Sequence, residues 1–199
     1  MIKKVFILNG VGTSGKGVFV DYISKYISTL KYSIVDLPKE AAKVLGWDGG
    51  KTEKDRRFLS DIMDLSTEYN DAPFKDVLSL VTDFKNNEDF TEYEVLIIDM
   101  RDPKDIARAV ETFGAKTILI RNPKVRKIES NHADREVENY EYDYIIENNG
   151  TLEQLDSIAR VFVDKHIKGN TSHNDSLHVV YNTTTKKTTT ILTANEMLR

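Results

Sequence analysis

The sequence predicts an α/β fold of three layers, with a five-stranded, mainly parallel sheet between helices on both faces. Three observations lead there. Short apolar runs at 5–8, 94–99 and 116–120 read as strands, the one at 94–99 continuous enough to be buried on both faces of a parallel sheet. The stretches between them repeat their apolar residues every three to four positions, the period of a buried helix face. A glycine-rich segment with a lysine, Gly10-Val-Gly-Thr-Ser-Gly-Lys16-Gly17, stands where the first strand gives way to the first helix.

Composition narrows the function classes. A chain of 199 residues, 40 % hydrophobic and 30 % charged, is long enough for one sizeable core and has the make-up of a globular protein. Its formal net charge of −4 disfavours nucleic acid as a partner, while leaving room for a local cationic cleft. There is no cysteine, hence no disulfide, thiolate metal site or thiol nucleophile. No stretch has the length of a membrane span and Met1-Ile-Lys-Lys leads straight into a strand, so a cytoplasmic protein without a membrane partner is expected. A homodimer is left open.

In chain order, Val5-Phe-Ile-Leu8 is the first strand, and Val18, Phe19, Ile23, Tyr26, Ile27 and Leu30 mark the first helix. Tyr32-Ser-Ile-Val-Asp36 reads as a second strand ending in an acid before Pro38. A short helix over 39–45 stops at Gly46, and Gly46-Trp-Asp-Gly-Gly-Lys-Thr52 is a loop by its glycines. A helix from 53 to about 69 turns Phe58, Leu59, Ile62, Met63 and Leu65 inward. Lys54, Arg56 and Arg57 lie at its start, against the helix dipole. They suit a nearby anion, or ion pairs with Glu53 and Asp55. Asp71-Ala-Pro73 opens a helix to about Lys85. The strand 94–99 ends in Asp99, Asp102-Pro103 starts the next helix, Gly114 closes it, and 116–120 is a strand.

From 121 to 141 the chain is densely charged and reads as a lid-like excursion or a solvated, ion-paired helix pair. Tyr142–Glu147 is the fifth strand, and Thr151-Leu-Glu-Gln154 a capping box opening the last helix. This gives one domain over 1–168, with an insertion at about 37–90 and the lid-like segment at about 121–141. Beyond it, 169–199 is a polar tail in which 177–181 and 188–192 form a hairpin. The four histidines, His132, His166, His173 and His178, show no metal-ligand spacing.

The chemistry starts at the loop. Gly10, Gly12 and Gly15 let successive N–H groups turn inward around an anion, the following helix adds its positive end, and Thr13 and Ser14 offer further donors. Lys16 supplies a charge for the β- and γ-phosphates. Gly17 occupies the place where many such loops carry a metal-binding Ser or Thr, and Val18 offers no hydroxyl either. Asp99 is therefore the expected holder of Mg²⁺, through water. Transfer between two phosphates also needs guanidinium groups, for which Arg56, Arg57, Arg101, Arg121 and Arg126 are candidates.

Taken together, Lys39-Glu40, Gly46-Trp-Asp-Gly-Gly-Lys-Thr-Glu-Lys-Asp-Arg-Arg-Phe-Leu59, Asp99-Met-Arg101-Asp-Pro and Asn148-Asn-Gly-Thr-Leu-Glu-Gln-Leu155 resemble the phage-type deoxynucleoside monophosphate kinases. The resemblance lies within the wider nucleoside monophosphate kinase group and covers about residues 3–165. The Gly-Lys-Gly of the loop is similar to that of adenylate kinases, which usually follow it with Thr or Ser where this chain has Val18. The resemblance implies a P-loop fold and transfer of the γ-phosphate of ATP, with Mg²⁺, to a (deoxy)nucleoside monophosphate. Lys16 and the loop amides would hold ATP; Lys39, Trp47, Lys51, Arg56 and Arg57 would hold the monophosphate. Arg101 matches the arginine of the Asp-x-Arg segment, and Arg121 and Arg126 fall in the lid. Two alternatives remain: a kinase for a hydroxyl acceptor, similar to dephospho-coenzyme A kinase, with Asp36 as base; or a nucleotide-binding module with little turnover.

Overall fold

The computed structural model describes residues 3–86, 88–125, 137–170, 178–182 and 187–193. The described residues fall into two compact units, one drawn from 1–31 and 92–199, the other from 32–91.

In the first unit, β1 (Lys4–Asn9), α1 (Lys16–Tyr26), β3 (Val95–Asp99), α5 (Pro103–Phe113), β4 (Lys116–Arg121), β5 (Tyr144–Glu147) and α6 (Leu152–Phe162) follow the expected alternation. A π-helical turn, Val163–Ile167, prolongs α6, and β6 (His178–Asn182) and β7 (Lys187–Thr193) close the chain. Strand β2 (Thr29–Ser33) bridges the two units in sequence. The sheet order is β2-β3-β1-β4-β5-β7-β6. Parallel pairing joins β1 to β3 and β4, β4 to β5, and β5 to β7, while β6 runs antiparallel to β7.

Alternation along the strands divides the core between the two faces. Phe6, Leu8, Ile97, Ile118, Ile120 and Ile146 pack with Phe19, Val20 and Ile23 of α1 and Leu155, Ile158 and Phe162 of α6. Phe162 sits at the centre of an aromatic group, its ring 5.5 Å from Phe6, 6.0 Å from Phe19 and 5.1 Å from Tyr144. Helix α5 packs on β1 and β4 and buries Ile106, Ala109 and Phe113.

Three expectations are corrected. The sheet has seven strands rather than five, because the tail hairpin does not stand apart: β7 pairs along the whole of β5, with Ile191 opposite Ile145 and Leu192 opposite Ile146. An edge strand offers a row of unpaired backbone groups, and β7, rich in β-branched residues, covers that row. The second strand ends at Ser33, not at Asp36. Asp36 is the first residue of α2 (Asp36–Val44), and its Oδ2 accepts the Ser33 N–H at 2.9 Å, a local bond that turns the chain out of the strand. Finally, α3 (Glu53–Asn70) buries none of its residues fully, and Leu65, expected inward, is exposed.

The second unit is helical: α2 packs on α3, and α4 (Ala72–Asn86) packs on both. Thr52 caps α3 in a capping box with Asp55, and a 3₁₀ turn, Glu88–Phe90, follows α4.

Candidate functional site

Parallel pairing brings the C-terminal ends of several strands to one edge of the sheet, where open α/β folds place their ligands. Asp99 lies one residue beyond the partner of Ile7, opposite Leu8. Asn9 lies opposite Leu119, and Arg121 opposite Glu147. The Gly10–Gly17 loop leaves this edge between β3 and β4 and runs into α1.

The loop's conformation demands its glycines at two positions. Gly10 has φ 152° and Gly15 φ 102°. A Cβ on Gly10 would come within 2.6 Å of the Ile120 carbonyl oxygen and 2.7 Å of Ser14 Oγ; one on Gly15 would lie 2.4 Å from Asn148 Nδ2. Thr13 also has positive φ, 62°, at a cost of roughly 1–2 kcal/mol for a residue with a Cβ. Such strain persists only where surrounding bonds enforce it. Ser14 is buried, and its Oγ has no hydrogen-bond partner among the described residues. Gly15 is the N-cap of α1 without a side-chain cap, so the helix presents first-turn amides that have no acceptor within the helix. Lys16 folds over the loop, its Nζ donating to the carbonyls of Gly10 and, at 3.3 Å, Val11. Gly12 is half-buried in the loop, and Gly17, in the first turn of α1, is exposed.

Two asparagines hold the loop from either side, and neither was singled out in the sequence. Asn9, fully buried, accepts the Gly10 N–H on Oδ1 at 2.7 Å. Its Nδ2 donates to the Arg101 carbonyl at 3.2 Å and to the Tyr142 hydroxyl at 2.7 Å, which in turn donates to the Val137 carbonyl. Burial pushes the Tyr142 phenol well above its ordinary pKa, so it stays a donor. Asn148 donates from Nδ2 to the Ser14 carbonyl at 2.8 Å, and its backbone N–H donates to the Arg121 carbonyl at 2.8 Å. The available signal for Asn9 was a polar residue closing an apolar strand just before a glycine. Asn148 was visible as the start of an Asn-Asn-Gly turn and of one segment carrying the family resemblance, without a role of its own.

Asp99 ends β3 half-buried, with Oδ1 shielded from solvent. Arg101 follows it, and Arg121 ends β4 in an ion pair with Glu147, Nε to Oε1 at 2.9 Å. That hydrogen bond holds the Arg121 guanidinium even further above neutrality than usual. Arg126 lies outside the described residues.

In the second unit, Asp36 and Lys39 form an ion pair at 2.8 Å. Trp47 donates from Nε1 to the Gly50 carbonyl at 3.2 Å, fixing the glycine loop. Lys51, Arg56 and Arg57 are exposed, and Arg57 lies 4.0 Å from Asp61. The start of α3 is thus supplied with its own anions, Glu53 and Asp55, which answers in part for the cations there. Among the described residues no group of three His, Asp or Glu side chains forms a metal cluster, and His166 is half-buried against Tyr144 and Phe162.

No protein-family model matches the sequence, and neither does any curated protein. The fold is similar to that of shikimate kinase from Aquifex aeolicus vf5, at 12 % identity over 83 % of this chain and 99 % of that one, with a TM-score of 0.47. It is also similar to a sugar kinase from Janibacter sp. HTCC2649, at 12 % identity over 81 % and 95 % of the two chains, TM-score 0.45. A de novo designed protein of P-loop NTPase fold matches at 14 % identity over 87 % and 100 %, TM-score 0.37. The architecture is an α/β fold with a mainly parallel sheet and a glycine-rich loop between its first strand and first helix.

Proposed function

We propose that this chain is a phosphotransferase that moves the γ-phosphate of ATP, with Mg²⁺, to a (deoxy)nucleoside monophosphate. The observation that carries the reading is the pairing of a glycine-dependent loop bearing Lys16 with Asp99 on the adjacent strand, at one sheet edge.

On this reading the loop amides and the first turn of α1 bind the β- and γ-phosphates, and the buried Ser14 hydroxyl adds a donor. Lys16 exchanges its carbonyl partners for phosphate oxygens. Asp99 would hold Mg²⁺ through water, and the ion would supply charge neutralisation to the phosphate oxygens. Its fit rests on Asp99, whose carboxylate stands at the strand end beside the loop; with no hydroxyl at Gly17 or Val18, water and phosphate oxygens would have to supply the remaining ligands. Arg101 would stabilise the charge on the moving phosphoryl group, with Arg121 and Arg126 in support. For the acceptor we propose Lys39, Trp47, Lys51, Arg56 and Arg57, on the strength of their resemblance to a monophosphate-binding segment.

A panel of nucleoside and deoxynucleoside monophosphates, each incubated with Mg²⁺-ATP and read by ADP release, tests the proposal. Acceptor-dependent ADP is expected with at least one deoxynucleotide. Tight ATP binding without turnover on any member would replace the kinase with a nucleotide-binding module.

A further inference from the structure

We propose that Asn148 is a positioning residue that sets the direction of the Ser14–Gly15 peptide and so keeps the Gly15 N–H turned to the anion side of the loop. The inference rests on the reading of Gly10–Gly17 as a phosphate loop. A trans peptide is planar, with its C=O and N–H pointing in opposite directions. Asn148 Nδ2 holds the Ser14 carbonyl at 2.8 Å, which points the Gly15 N–H directly away from Asn148. Without that bond little would fix the plane. Gly15, at φ 102° and ψ 12°, has no Cβ to resist rotation, and glycine visits both signs of φ with equal ease. A flipped peptide would present a carbonyl oxygen where the loop needs a donor.

The clamp is itself well anchored. The Asn148 backbone N–H is tied to the Arg121 carbonyl at 2.8 Å, at the point where Arg121 pairs with Glu147 across the β4–β5 register. The end of β4 therefore reaches the loop through one side chain. The approach is close enough that Asn148 and a Cβ at residue 15 exclude one another, since that Cβ would stand 2.4 Å from Nδ2. Glycine at 15 and asparagine at 148 thus form one device. The glycine permits the conformation, and the asparagine selects it.

The experiment compares wild type with Asn148→Ala and Asn148→Asp, using inorganic tripolyphosphate as the probe. Crystal structures report the Ser14–Gly15 orientation, and calorimetry reports affinity. In Asn148→Ala a flipped or mixed peptide and a loss of affinity of roughly tenfold or more are expected, the size set by one lost hydrogen bond at a charged ligand. Asn148→Asp, whose carboxylate repels the Ser14 carbonyl, should lose more. In the wild type, which needs no variant to fold, the Gly15 amide resonance should shift strongly on titration with tripolyphosphate. A single wild-type peptide orientation in Asn148→Ala, or a Gly15 amide that stays still while other loop amides move, overturns the proposal. Failure of the wild type to bind tripolyphosphate would instead overturn the phosphate-loop reading itself.

Discussion

Gly17 shows how the loop departs from a hydroxyl-bearing one and how readily that departure could be reversed. A Cβ there meets no atom within 4 Å, and the residue lies in the first turn of α1. Gly17→Ser should fold, gain about 0.5 kcal/mol of helix propensity and lower the Mg²⁺ concentration needed for half-maximal ATP binding. Calorimetry across a magnesium series checks this; an unchanged midpoint would mean that no metal ligand is wanting at that position. Lys16→Ala should abolish transfer and weaken ATP binding by about a hundredfold or more, losing a charged partner of the phosphates. Its melting temperature should stay close to wild type, since Lys16 Nζ bonds the Gly10 and Val11 carbonyls within its own loop. Wild-type turnover in this variant would remove the loop from the mechanism.

At the scale of elements, α6 carries a cap at its start and, in the turn that prolongs it, a half-buried imidazole. Thr151 Oγ1 accepts the Gln154 N–H at 3.3 Å, and Gln154 Oε1 accepts the Thr151 N–H at 2.8 Å. Thr151→Ala should cost about 1 kcal/mol. A melt a few degrees below wild type would register it. In the π-helical turn that prolongs α6, His166 lies 4.9 Å from the Tyr144 ring and 5.5 Å from Phe162, its Nε2 buried without a hydrogen-bond partner among the described residues. Burial lowers its pKa below the ordinary 6.5, with Lys165 and Lys4 adding to the effect. The unfolded chain therefore binds this proton more readily than the folded one. The stability contributed by neutral His166 is complete above about pH 6.5 and falls as pH drops below that value. Melts between pH 8 and pH 5 should show the loss, and His166→Phe should flatten it. An equally steep acid limb in the variant would assign the effect to other groups.

For the whole molecule, the telling feature is the sheet's far edge. β7 pairs along β5 and puts Leu192 into the same core as Phe162. Truncation after residue 170 should lower the melting temperature by several degrees and expose β5 to intermolecular pairing, read as concentration-dependent light scattering. A truncated protein that melts and scatters like the full chain would make the hairpin dispensable.

Much of this was legible in one dimension because it is local. The apolar runs, the 3.6-residue period, Pro103 after its Asp102 cap, Gly114 and the Thr151 capping box each specify a neighbouring backbone conformation, so element types were recovered with small shifts at their ends. Asp36 shows where local reading failed. Its residue type suits a strand end and a helix start equally, and the bond to Ser33 decided between them. Leu65 failed for a different reason: an apolar residue at helical spacing still needs a neighbour to cover it.

What the sequence alone determined, then, was the alternation of strands and helices, the glycine loop with Lys16, and the acid closing the third strand. Each follows from residues near in sequence. The tertiary structure alone decided that the tail hairpin extends the sheet, that Asn9 and Tyr142 brace one side of the loop, and that Asn148 grips the Ser14 carbonyl from across the chain. Strand pairing and side-chain hydrogen bonds join residues more than a hundred positions apart, as with Ser14 and Asn148, and no periodicity or motif encodes which partner such a group will meet.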